Sequence, residues 1–189
     1  MDLRSIVPSV RPSFVRRAAY AAPLAAVLAA AGAAASCGGS APAATRLPPA
    51  KVLRVDAGTR SVELTLTASD TSTYGGFNFD GYSTGAMTVH VPAGWNVEVS
   101  CYNASTVLTH SCAVIDDVAI APSGGPIAFA GASTPEPVDG IACGATDEFS
   151  FVASRPGRYR IACLVSGHEA DGMWDWLVVT AGGQPGVST

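Results

Sequence analysis

Beyond residue 50 the chain alternates between apolar and polar positions. Val52-Leu-Arg-Val-Asp56 and Ser61-Val-Glu-Leu-Thr-Leu-Thr67 have the period of strands with one face in a core. The same alternation returns in Met87-Thr-Val-His-Val91, which runs into the turn signal Pro92-Ala-Gly94, and in Trp95-Asn-Val-Glu-Val-Ser-Cys101. Further short apolar segments are Cys112-Ala-Val-Ile115, Glu148-Phe-Ser-Phe-Val152, Gly157-Arg-Tyr-Arg-Ile-Ala-Cys163 and Leu177-Val-Val-Thr180. No segment after residue 50 sustains a helical period. Roughly seven to nine short strands separated by Gly and Pro predict an all-β, Greek-key β-sandwich. Residues 118–144 are rich in Ala, Pro and Gly, show no alternation and define no element.

The first 36 residues have a different pattern. Arg4, Arg11, Arg16 and Arg17 precede an Ala-rich run from Ala18 to Ser36, broken by Pro23 and Gly32. A basic start followed by a weakly apolar run has the form of an export signal rather than a membrane-spanning helix. It ends in Ala34-Ala-Ser-Cys37-Gly-Gly-Ser, which resembles a bacterial lipoprotein cleavage site with Cys37 as the lipidated residue. Ordinary signal cleavage and an uncleaved peptide anchor are the alternatives. Residues 37–50 then read as a flexible tether, 51–180 as the folded domain and 181–189 as a C-terminal tail. The expected location is outside the cytoplasm, on a membrane surface.

Charge narrows the partners. Residues 37–189 carry seven Lys/Arg against fourteen Asp/Glu, a net charge of about -7. With Lys51 as the single lysine, the chain lacks the basic footprint that nucleic acid requires. An acidic protein can be steered to a basic partner, although acidity also simply keeps a protein soluble.

The candidate chemistry lies in Cys163-Leu-Val-Ser-Gly-His168-Glu-Ala-Asp-Gly-Met173, between two predicted strands. A thiol, an imidazole and a thioether on one loop suit copper, and two His, one Cys and a weak axial Met form the blue-copper electron-transfer site. Of the three histidines, His110 falls ahead of a strand and is the candidate second imidazole, whereas His90 lies within an alternating strand and reads as a surface residue. The predicted metal set is His110, Cys163, His168 and Met173, holding one copper ion that cycles between Cu(I) and Cu(II). Taken singly, Cys163 reads as a buried thiol and Met173 as core. Their conjunction on one loop favours ligation.

These residues resemble those of the cupredoxins and, among them, the sulfocyanin family. Phe77-Asn-Phe-Asp-Gly81 resembles a Phe-Asn-Phe-Asn-Gly block of that family, with Asp80 in place of the second Asn. Pro92-Ala-Gly-Trp-Asn96, Gly167-His168 and Gly172-Met173-Trp174 resemble further family motifs, and the ligand spacing is also that of rusticyanin. The resemblance covers residues 74–180. It implies a single-electron carrier, not an enzyme, in a membrane-associated respiratory chain. The implied partners are redox proteins such as a cytochrome or a terminal oxidase, met by a monomeric carrier. Ser111 stands where most small cupredoxins place an Asn that ties the ligand loops together. Ser111 and Asn103 are therefore the expected supports of the ligands. In the cupredoxin topology the strand ending near Asn103 pairs with the strand starting near Thr146, which implies a Cys101–Cys143 disulfide. Cys112–Cys143 is the second possibility. In the first arrangement Cys112 is a small buried thiol.

Other functions find less support. A thiol hydrolase needs a general base and an oxyanion hole, and no third group accompanies Cys163 and His168. A multicopper enzyme needs more histidines than three. Copper storage or delivery is the principal alternative, but it asks for a Met- or Cys-rich surface, and Met87 and Met173 are the only methionines after Met1.

Overall fold

In β2 (Ser61–Ala68) the residues Val62, Leu64, Leu66 and Ala68 are buried, and the side chains between them face outward. β4 (Asn96–Asn103) repeats the pattern with Val97, Val99, Cys101 and Asn103. The structure, a computed structural model, describes residues 49–70, 72–119 and 125–189. The other strands are β1 (Leu53–Asp56), β3 (Thr88–Pro92), β5 (Ala113–Asp116), β6 (Thr146–Val152), β7 (Gly157–Ala162), β8 (Trp174–Thr180) and β9 (Gly186–Ser188). They form two sheets, ordered β1-β2-β4-β6 and β5-β7-β8-β3-β9. From β2 to β7 each strand lies in the sheet opposite to its predecessor. The inner faces therefore close one apolar core between the sheets, the Greek-key β-sandwich predicted from the alternation. β2 and β4 are parallel, as are β3 and β8, and the other pairs are antiparallel. Full burial of each large aliphatic side chain contributes about 1.5–3 kcal/mol, and Leu66, Ile161 and Leu177 are all at 1 % exposure or less.

The C-terminal segment departs from the expected tail. Gly186–Ser188 pairs antiparallel with β3, and Ser188 Oγ lies 3.3 Å from His90 Nε2. Val187 packs against the core and covers an edge that β3 would otherwise leave unpaired. His90, read as a surface residue, is half-buried in β3, and it is not among the clustered donors.

Residues 125–144 make only isolated bridges, Ile127 to Ile115, Ser133 to Ala113 and Ile141 to His110. Phe129 from this stretch stacks on Phe151 and tilts against Tyr159. An irregular segment that inserts single side chains into a core has no period to read.

Among the described residues a disulfide joins Cys101 to Cys112, with Cα atoms 6.1 Å apart, so neither of these two pairs with Cys143. The antiparallel pairing behind the expectation is present, but its register places Cys101 opposite Asp147. Cys101 points into the core, where Cys112, the residue just before β5 of the facing sheet, meets it, while Cys143 sits half-buried in the loop before β6. Cys112 is thus buried, as read, but is not a thiol.

The leader, Cys37 and all but the last two residues of the tether lie outside the described residues. The short helix Pro49–Val52 begins in those last two. Among the described residues no helix is long and apolar enough to cross a membrane.

Candidate metal centre

The antiparallel pairing of β7 and β8 sets Ala162 opposite Trp174, so the chain between them must leave the sheet and return. The Cys163 N–H donates to the Met173 carbonyl at 3.1 Å, closing this loop at its base. Within it, the His168 N–H donates to Val165 O at 3.1 Å and the Met173 N–H to His168 O at 2.9 Å. Gly172 turns at φ +97°, and a Cβ there would lie 2.8 Å from Thr84 Cγ2, so only glycine fits. The Thr84 N–H and the Ser83 hydroxyl both donate to its carbonyl, at 2.9 and 2.6 Å. The loop is thereby tied to the segment ahead of β3.

His110 lies on the β4–β5 connection, which crosses from one sheet to the other, and bridges to Ile141. The structure brings all four candidate ligands together. The ligand atoms of His110, Cys163 and His168 lie within 4.8 Å of one another. Cys163 Sγ is 3.3 Å from His168 Nδ1 and 4.0 Å from His110 Nδ1, and His110 Nδ1 is 3.1 Å from Met173 Sδ. His110, Cys163 and Met173 are fully buried, whereas His168 retains 7 % exposure. Donors held about 2 Å from one ion stand about 3–4 Å apart, so these separations suit a shared metal. Two imidazoles, a thiol and a thioether, with no carboxylate among them, fit one copper ion.

Burial pushes the His110 imidazole down to about 3, with the neighbouring His168 adding to the shift. Burial also lowers His168, opposed by Asp171. Both rings are therefore neutral at neutral pH, the form that binds metal. Burial raises the Cys163 thiol against the hydrogen bonds from Ser111 and Val165. A metal must displace that proton to bind the sulfur. Cys163 is the free cysteine among the described residues.

The expected supports take different places. Ser111 donates its backbone N–H to Cys163 Sγ at 3.2 Å, and its hydroxyl lies 3.7 Å from the same sulfur. The Leu164 N–H donates to the Ser111 hydroxyl at 2.8 Å. Asn103 touches none of the donors. Its side-chain amide donates to the carbonyls of Leu108 and Ile141, both at 2.9 Å, and its Oδ1 accepts the Ser105 N–H at 2.9 Å. It thus ties the segment ahead of His110 to the Ile141 segment that bridges to His110.

Sequence reasoning missed two neighbours of the centre. The Phe77 ring meets the His168 ring edge-on at 4.9 Å between centroids, and Glu169 is buried against Arg160. The Phe77 motif marked the resemblance, but nothing in the sequence gave its contact. No local signal pairs Arg160 with Glu169.

A Greek-key sandwich carrying these four donors has the scaffold and donor set of a blue-copper protein. A profile of the Sulfocyanin (SoxE) domain matches residues 48–184. The chain belongs to the sulfocyanin family. It is 32% identical over 128 residues to sulfocyanin of Sulfolobus acidocaldarius, a match spanning 64% of this chain and 64% of that relative. Among solved structures, reduced auracyanin from Roseiflexus castenholzii aligns at 21% identity and TM-score 0.47, covering 66% of this chain and 99% of that one. A rusticyanin structure aligns at 22% identity and TM-score 0.43, covering 68% and 87%.

Proposed function

We propose that this protein is a single-electron carrier whose one copper ion is held by His110 and His168 through Nδ1, by the Cys163 thiolate and, weakly, by Met173. The observation that carries this reading is the meeting of those four side chains in a buried cluster without a carboxylate. Copper supplies a one-electron Cu(I)/Cu(II) couple. The protein's own contribution is rigidity. The loop hydrogen bonds and the Ser111 bridge hold the donors in one arrangement for both oxidation states, and burial keeps water away. His168 is the ligand nearest to solvent, so electrons leave and enter through its ring. The half-buried Val165 and Gly167 offer small, apolar contact beside it, which suits a transient redox interface, whereas Leu164 is buried with Ala113, Ile115 and Ala162 and faces no partner. The partner is a redox protein such as a cytochrome or terminal oxidase, met by a monomer. The leader exports the chain, and Cys37, when lipidated, anchors it on the extracytoplasmic side of the membrane. Such a carrier performs no catalysis of its own.

Copper titration with voltammetry tests this reading. An electron carrier takes up one copper per chain and shows a reversible one-electron wave. Several weakly held coppers per chain without such a wave would instead identify storage or delivery. A charge placed at Val165 should slow exchange with a redox partner while the spectrum stays the same. Slower exchange only from charges on the far side of the domain would contradict a route through His168.

A further inference from the structure

We propose that the buried Arg160–Glu169 ion pair is a brace that positions the copper-binding loop, an inference that rests on the copper reading of that loop. Arg160 leaves β7 three residues before Cys163, and Glu169 directly follows His168. Arg160 Nη1 donates to Glu169 Oε1 at 3.0 Å, with side-chain exposures of 9% and 1%. The pair therefore links the strand that delivers the thiolate to the turn that delivers the imidazole. The same turn delivers the thioether, since the Glu169 carbonyl accepts the Gly172 N–H at 3.0 Å immediately before Met173.

Arg160 is itself fixed from several sides. Its Nη2 donates to Asp117 Oδ1 at 2.8 Å, and Asp117 Oδ2 accepts from Arg158 at 2.7 and 2.9 Å. Its guanidinium carbon lies 5.2 Å from the Trp174 ring centre and 5.9 Å from that of Trp176. The planar fork is thus held before Glu169 meets it, as an arginine is suited to be.

Stability alone does not account for this arrangement. A buried ion pair rarely stabilises more than apolar residues of the same volume, and this one leaves Arg160 Nε and Glu169 Oε2 buried without hydrogen-bond partners. What the pair does supply is direction. A loop of two glycines and an exposed Ala170–Asp171 tip is held to the sheet at the residue next to a ligand. Groups that orient metal ligands from outside the coordination sphere typically change metal affinity about 10–100-fold when removed.

The test compares Glu169→Ala, Glu169→Gln and the parent chain by copper affinity and visible spectrum. A core control, Phe151→Leu in β6, lies away from the loop. Glu169→Ala should weaken copper binding about 10–100-fold and alter the visible band. Glu169→Gln, whose amide oxygen still accepts from Arg160 Nη1, should recover most of that loss. Phe151→Leu should lower the melting temperature with no change of band. Amide exchange in the metal-free protein reads the brace without copper. The His168 and Met173 amides should exchange faster in Glu169→Ala by about tenfold, while the Val99 amide in β4 is unchanged. A parent that binds no copper overturns the functional reading, and the exchange result then decides the brace alone. The brace is overturned if Glu169→Ala keeps parental affinity and band, if Phe151→Leu loses as much affinity, or if the loop amides exchange at the parental rate.

Discussion

Ser111 reaches the Cys163 sulfur with its backbone N–H at 3.2 Å, and its hydroxyl stands 3.7 Å from the same atom. Hydrogen bonds to a ligating thiolate withdraw charge from the sulfur and so favour Cu(I) over Cu(II). Ser111→Ala keeps the backbone donor but removes the hydroxyl and leaves the Leu164 N–H without its acceptor. The reduction potential should fall by about 20–60 mV, the equivalent of one hydrogen bond of about 0.5–1.5 kcal/mol. Voltammetry of the copper-loaded variant checks this, and an unchanged or raised potential would contradict it.

Met173→Leu should raise the potential, because a weak donor that favours Cu(II) is lost. Leu and Met are close in volume, so the buried position tolerates the change at a cost below about 1.5 kcal/mol. Met173 Sδ stands 3.1 Å from His110 Nδ1, on the shared centre, and copper should be retained. A lowered potential would remove Met173 from the ligand set.

Removing the disulfide should weaken both fold and site. Cys101–Cys112 closes a loop of sequence separation 11 that contains His110 and joins the two sheets. The double variant Cys101→Ala/Cys112→Ala should lose about 2–4 kcal/mol in urea unfolding. Its copper affinity should drop as well, since His110 lies only two residues from Cys112. A variant with parental stability would show that the bridge constrains little.

Asp80 should make stability depend on pH. Burial raises its carboxyl from 3.8 to about 7, and Asp70 adds to the shift while the bond from the Thr67 N–H opposes it. Its Oδ1 accepts that N–H at 3.0 Å, but Oδ2 is buried without a partner. The unfolded chain releases the proton near 3.8 and the fold only near 7, so the fold binds more protons between those values. This group's stabilisation is complete below the lower value and is lost as pH rises through the higher one, with an upper limit of about 4 kcal/mol. Asp80→Asn keeps the acceptor and removes the charge. It should be more stable than the parent at pH 8 and should lose that advantage at pH 4. A difference that does not shrink between the two pH values would show that Asp80 is not the titrating group.

The parts legible in the sequence were the local ones. Alternation in Ser61–Thr67 and Trp95–Cys101 marked strands because each has one buried face. Cys163, His168 and Met173 stood out because three metal-binding side chains share one short loop. His110 was separable from His90 because His90 sits inside an alternating strand, whereas His110 precedes one. What was hidden depends on register and on contacts between sheets. Cys101 meets Cys112 only because the two inner faces oppose each other across the core. Val187 alone gives no pattern for a three-residue strand, and the irregular stretch that buries Phe129 has no period. The Arg160–Glu169 pair joins a strand to a loop through geometry that neither segment states by itself.

The central claim is that a Cys163 thiolate binds copper together with two imidazoles. The most direct measurement is the visible absorption spectrum of the copper-loaded protein beside that of Cys163→Ser. The parent should show one intense thiolate-to-Cu(II) band, and Cys163→Ser should lose it even where some copper remains bound. A Cys163→Ser protein that keeps the parental colour, or a parent that binds Cu(II) without that band, would contradict the claim.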